Sequence, residues 1–123
     1  LSLHDALPIS HPYAAGLRWD LDMSKAKGQR FSNVQVRNKT TGAWAPIDLA
    51  KTYVLVTNDF IAAGQDGYTA LGTVYKTGAY VNTYLLYTQS FVDYVKAKGT
   101  TARPAAADYS HQKVVSKAGV ALP

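Results

Sequence analysis

The sequence predicts an α+β domain, mostly antiparallel sheet with one or more packed helices. Three observations carry that expectation. Residues 16–22 and 31–37 alternate apolar and polar side chains, the period of a strand with one face on a core. The run Tyr53-Val54-Leu55-Val56-Thr57 is short, apolar and β-branched, as a strand covered on both faces would be. Phe91, Val92, Tyr94 and Val95 share one helical face, opposite Asp93, Lys96 and Lys98.

In chain order, the first strand is Gly16 to Asp22, and Ser24 to Gly28 is a polar connection. Phe31 to Arg37 forms the second strand. Asn38-Lys39-Thr40-Thr41-Gly42 is turn chemistry that returns the chain as a hairpin to a short strand around Trp44. Pro46 to Lys51 is a turn in which Asp48 accepts backbone N–H bonds before the strand from Tyr53. Leu71 to Tyr80 reads as a short edge strand and a glycine turn. Thr88 is the expected N-cap of the amphipathic helix, and Gly99 its stop. After the proline- and alanine-rich stretch from Thr100 to Asp108, His111 to Val115 forms a last strand. Trp19, Trp44, Tyr53, Phe91 and Tyr94 are the core candidates, and Arg18, Arg30 and Arg37 are expected on solvated strand faces.

The 123 residues suffice for one domain with a modest core. Thirteen Lys and Arg against eight Asp, with no Glu, give a net charge of +5. Such a surface suits an anionic partner such as a nucleotide phosphate or nucleic acid, or is simply a solvated basic face. The absence of cysteine removes disulfides, thiolate nucleophiles and cysteine-ligated metals. No apolar run approaches the length of a membrane-spanning helix. The opening Leu1-Ser2-Leu3-His4-Asp5-Ala6-Leu7-Pro8-Ile9 lacks a basic leader and a cleavage site. Back-translated, it looks like a sequencing adapter joined at Ser10. Residues 1–9 are therefore expected to be an assembly scar and 10–123 the protein proper.

The most informative stretch is Thr57 to Tyr68. It delivers the ring of Phe60 and the carboxylate of Asp66 from one loop bracketed by Gly64 and Gly67, at the exit of an expected strand. On the residues alone two readings stand. One is a binding loop; the other is a tight turn tipped by Asp66-Gly67, with Phe60 and Tyr68 in the core.

The pattern Asn58-x-Phe60-x-Ala62-x-Gly64-x-Asp66-Gly67-Tyr68 resembles the signature of the C-terminal domain of the 5'-nucleotidase family. Residues 13–20, 28–31, 42–48 and 51–53 follow the same family's order and spacing, so the resemblance covers about residues 11 to 115. It implies a 5'-nucleotidase C-terminal domain-like fold, incomplete at its N-terminus. It also implies a substrate-binding role in nucleotide catabolism, within a periplasmic or secreted metallophosphoesterase that releases phosphate from nucleotides. Carried onto matching positions, Phe60 would stack on the base and Asp66 would accept from ribose hydroxyls. Asn58 would order the loop or touch ligand through its amide, and Gly64 would offer an N–H or simply turn the chain. Gln65 stands where the family usually has glycine, although some nucleotidases acting on NAD look to have a long side chain there.

The catalytic apparatus implied by the family lies in an N-terminal domain holding two divalent metal ions. Two-metal hydrolysis needs several converging Asp, His and Asn ligands, and this sequence does not supply them. His11 and His111 stand apart without metal-ligand spacing, and His4 falls in the expected scar. The fragment is expected to hold no cofactor and to be inactive by itself. Its expected partners are a nucleotide or nucleoside and the N-terminal domain of the same chain, with no membrane span and no nucleic acid. Two rivals remain: a non-catalytic basic module that stacks single-stranded nucleic acid, and a structural β-rich surface domain.

Overall fold

The computed structural model describes residues 13–123. The expected scar at 1–9, with His4, and also His11, lie outside the described residues. The chain divides into two compact units, one containing residues 53–102 and the other 13–52 with 103–123.

The second unit is built on a five-stranded sheet. Its strands are β1 (Leu17–Asp22), β2 (Phe31–Arg37), β3 (Trp44–Pro46), β4 (His111–Val115) and β5 (Ala121–Leu122), in the order β3-β2-β1-β4-β5. Three pairings are antiparallel and one, β1 with β4, is parallel. The sheet is thus mixed and mostly antiparallel. A parallel neighbour requires a long crossover, and here the chain between β3 and β4 contains residues 53–102 of the other unit.

Alternation in β1 works as the sequence predicts, with Trp19 and Leu21 buried at 3% and 4% exposure. The Trp19 indole meets Phe31 and His111 edge-on at centroid distances of 5.8 and 5.3 Å. The β1–β2 register slips between Arg18 and Asp20, and Asn33 opposite adopts φ 49°. A short polar side chain tolerates that left-handed angle better than a bulky one. The β2–β3 hairpin is closed by the Asn38 carboxamide, which accepts from the backbone N–H groups of Thr40 and Thr41 at 2.8 and 3.0 Å. Asp48 accepts from the Ala50 N–H at 3.0 Å, as expected of that turn.

Trp44 is half-buried, and the arginines around it are not merely solvated. The Arg18 guanidinium lies 4.4 Å from the Trp44 ring centroid and that of Arg37 5.8 Å. The indole N–H donates to Asp108 at 3.3 Å, and Asp108 also pairs with Arg37 at 3.6 Å. Arg18 further donates to Gln35 and to the Ala107 carbonyl. The contacts to Asp108 and Ala107 fasten the 103–110 segment to the sheet, while the cation–π contacts, about 0.5–1 kcal/mol each at partly exposed sites, tie β1, β2 and β3 to one another.

The first unit is helical. It contains α1 (Asp59–Ala62), a 3-10 turn (Gln65–Gly67), α2 (Thr69–Lys76) and α3 (Tyr87–Lys98). Four expectations need correction here. Residues 53–57 form no strand: Val54 and Val56 are 94% and 89% exposed, and the run is absent from the sheet. An apolar β-branched run becomes a strand only against a partner, and this one has no partner strand among the described residues. Leu71 to Lys76 continues α2 from Thr69, in place of the expected edge strand. Leu71 and Tyr75, four residues apart, share its less exposed side with buried Gly72. Thr88 does not cap α3, which begins at Tyr87 after an extended Leu86, with no side chain capping the end. Finally, Tyr53, Phe91 and Tyr94 are 44%, 66% and 55% exposed, so the apolar stripe of α3 is patterned for burial yet uncovered among the described residues. Gly99 ends α3 as expected, with φ 72° and its N–H bonded to the Val95 carbonyl at 2.9 Å.

Candidate functional site

The loop from Asn58 to Tyr68 lies wholly within the helical unit, so its geometry can be built from local causes. Asn58 is the N-cap of α1: its side-chain oxygen accepts from the Ile61 N–H at 2.8 Å. Asp59 accepts from the Phe60 N–H at 2.9 Å. Two orphan donors of the first turn are thereby satisfied by side chains. Phe60, in the middle of this single turn, is 52% exposed and therefore not a core residue.

The turn then reverses through left-handed backbone. Gly64 has φ 87°, Asp66 φ 52° with ψ 30°, and Gly67 φ 82°. Glycine adopts such angles at no steric cost, and aspartate is among the few residues that tolerate them. The Gly64 N–H donates to the Ile61 carbonyl at 3.0 Å, so its part is to turn the chain. Gly64 also packs backbone to backbone. A Cβ built there would stand 2.7 Å from the Gly72 Cα and 3.3 Å from the Tyr68 carbonyl oxygen.

Among the described residues the Asp66 carboxylate makes no hydrogen bond or ion pair. Its charge is felt next door: burial first, and the Asp66 carboxylate second, push the Tyr68 phenol above the ordinary tyrosine range. On α2 and just beyond it, the Tyr75 and Tyr80 rings stack at 4.2 Å with a 12° interplanar angle. The hydrogen bond with Tyr80 is the largest cause raising the Tyr75 phenol, followed by the charge of Tyr80, desolvation and the charge of Asp59.

The structure thus sets the four predicted residues on one short loop. Asn58 and Gly64 are engaged in holding it, while Phe60 and Asp66 present a half-exposed ring and an unpartnered acid. Sequence reasoning missed Gly72 and the Tyr75–Tyr80 stack, both on the segment read as a strand. A helical period recognised there would have placed Gly72 on the inward side of α2.

Elsewhere, in the sheet unit, a shallow cleft of about 420 Å³ is lined by Tyr13, Ala14, Arg103, Pro104 and residues 108–111. It contains none of the predicted site residues. Among the described residues no group of three or more His, Cys, Asp or Glu side chains converges as a metal ion requires, and no helix is long and apolar enough to cross a membrane.

Residues 4–73, more than half of the chain, match the family model of the 5'-nucleotidase C-terminal domain. The chain belongs to that family. It is 38% identical over 98 residues to the NAD 5'-nucleotidase of Haemophilus influenzae, a match covering 77% of this chain and 16% of that protein. It is 34% identical over 97 residues to the probable 5'-nucleotidase of Treponema pallidum, covering 78% of this chain and 16% of that protein. The chain thus spans about a sixth of the length of these curated relatives. No solved structure matches it significantly.

Proposed function

We propose that this chain is the nucleoside-recognising part of a 5'-nucleotidase that hydrolyses phosphate from nucleotides. One observation supports the reading above all: a loop of the family's signature presents a half-exposed aromatic ring and a part-buried acid with no hydrogen bond or ion pair among the described residues, while the Asn58 and Asp59 side chains are engaged in local bonds. Phe60 stacks on the base, a contact of about 1–3 kcal/mol that is tolerant of base identity. Asp66, ionised and acceptor-only, receives hydrogen bonds from the ribose hydroxyls. Asn58 and Gly64 hold the two in place.

On this reading the chemistry belongs to an N-terminal metallophosphoesterase domain of the same polypeptide, in the periplasm or outside the cell. Two divalent ions there supply the nucleophile and stabilise the phosphoryl charge. This chain binds and orients, and is inactive alone. Its ligand class is nucleotides, and the name of the Haemophilus relative adds NAD to the candidates.

The test is adenosine binding to the chain by ligand-detected NMR, at two salt concentrations. Phe60→Ala and Asp66→Ala each weaken it by about tenfold, the low end of what stacking and charged hydrogen bonds provide. Binding changes little with salt, unlike nucleic-acid binding by a basic surface. Unchanged affinity in both variants refutes the reading.

A further inference from the structure

The close contact between Gly64 and Gly72 has a consequence for how the loop recognises sugar. Gly72 is a buried residue inside the eight-residue helix α2, a place where glycine is disfavoured relative to alanine. The space explains it. A Cβ at Gly72 would stand 3.0 Å from the Ala63 carbonyl oxygen and 3.0 Å from the Gly64 Cα, both backbone atoms that cannot swing aside. Ala63 and Gly64 immediately precede the turn carrying Asp66, whose own backbone is left-handed and has little freedom to compensate.

We infer that Gly72 is a positioning residue for Asp66: the backbone contact between Gly72 and Gly64 sets where the carboxylate stands for the ribose hydroxyls. The inference rests on the nucleoside-recognition reading and adds to it a residue outside the loop. Restoring ordinary contact, at 3.4 Å or more, requires the loop and α2 to part by about 0.4 Å. That is close to the roughly 0.5 Å within which a binding constellation must be held. Phe60, one turn earlier and half-exposed, is less constrained by this contact.

The experiment titrates adenosine and 2',3'-dideoxyadenosine against the whole chain and its Gly72→Ala, Asp66→Ala and Thr73→Ala forms, by ligand-detected NMR. Thr73 is the exposed neighbour of Gly72 on α2. The unsubstituted chain prefers adenosine by about tenfold, as expected for hydrogen bonds to a charged acceptor. That preference falls to about unity in Asp66→Ala and in Gly72→Ala, and persists in Thr73→Ala. Dideoxyadenosine, held by stacking, changes by less than about twofold throughout. A merely structural role for Gly72 would weaken both ligands together and leave their ratio intact.

Thermal unfolding gives a second, ligand-free readout. On helix propensity alone Gly72→Ala raises Tm; on the contact it lowers it. Retained preference in Gly72→Ala beside its loss in Asp66→Ala overturns the inference and spares the function. Retained preference in Asp66→Ala, or no binding by the unsubstituted chain, overturns both. Loss of the β1 and β4 amide signals in Gly72→Ala also overturns the inference, because the substitution then acts on folding.

Discussion

Truncating Asn58 separates a residue that orders the loop from one that touches ligand. Helix α1 is a single turn of four residues with none buried. Its backbone bonds are Ala62 N–H to the Asn58 carbonyl at 3.0 Å and Ala63 N–H to the Asp59 carbonyl at 2.9 Å. A turn this short has barely passed the costly nucleation step. The 2.8 Å bond from the Ile61 N–H to the Asn58 side chain is therefore a large share of what holds it. Replacing an N-cap asparagine by alanine costs about 1 kcal/mol, which is about fivefold in the equilibrium for opening the turn.

The assay is amide hydrogen exchange at Ile61, Ala62 and Ala63 in Asn58→Ala, Asn58→Asp and Asn58→Ser. Alanine speeds exchange by about fivefold, whereas aspartate and serine, both good caps, leave it within about twofold. Adenosine affinity follows the same order, because Phe60 rides on this turn. If aspartate harms binding as much as alanine while exchange stays slow, the Asn58 amide donates to ligand. If alanine leaves Ile61 exchange unchanged, the cap argument fails outright.

Two further outcomes follow from the geometry. The Tyr68 phenol titrates above the ordinary tyrosine value, and Asp66→Asn lowers it without restoring it fully, since burial is the larger cause; ring-resolved NMR titration checks this. Its contribution to stability is complete below the unfolded tyrosine pKa and is lost as pH rises through the raised folded value. Trp19→Ala removes the larger of the two buried hydrophobic side chains among the described residues and costs about 3–5 kcal/mol. Denaturant unfolding followed on β4 amides reports this, and a loss under about 1 kcal/mol would show that the sheet does not depend on that ring.

What the sequence made legible is what neighbouring residues decide. Alternation located β1 and β2, turn chemistry located the hairpin between β2 and β3, and the end of the proline- and alanine-rich connection located β4, because each signal is carried within a few residues. The setting of Trp44 was not legible. It depends on Arg37 facing Trp44 in register and on Asp108 returning to the same place from sixty-four residues away. Residues 53–57 misled because β-branching reports compatibility with a strand and says nothing of whether a partner exists. Leu71 to Tyr80 misled because Thr73 and Val74 suit a strand, while the glycine that fits α2 against the loop looks like a breaker until its close neighbour is known. Of the candidate site, the residues were visible in sequence. Their division into presenters and holders was not, since that depends on which polar atoms the local backbone consumes.

The two units hold their shape by different means, and the difference bears on the proposed recognition of nucleosides. The sheet unit has Trp19, Leu21 and Ser110 buried at its centre. In the helical unit Gly72 is the one buried position among the described residues, and it has no side chain to bury. Burial of apolar side chains therefore contributes little to the order of the loop from Asn58 to Tyr68. Caps, left-handed turns and a backbone contact must supply it, and these are short-range terms of about 1 kcal/mol each. Segments held in this way open locally at low cost. A ligand that bridges Phe60 and Asp66 adds a link across the turn that the chain itself lacks, so adenosine should slow exchange at Ile61 and Tyr68 more than anywhere in β1 or β4. Equal slowing in both units would show that the ligand acts on the chain as a whole, and the loop would lose its claim to be the place of binding.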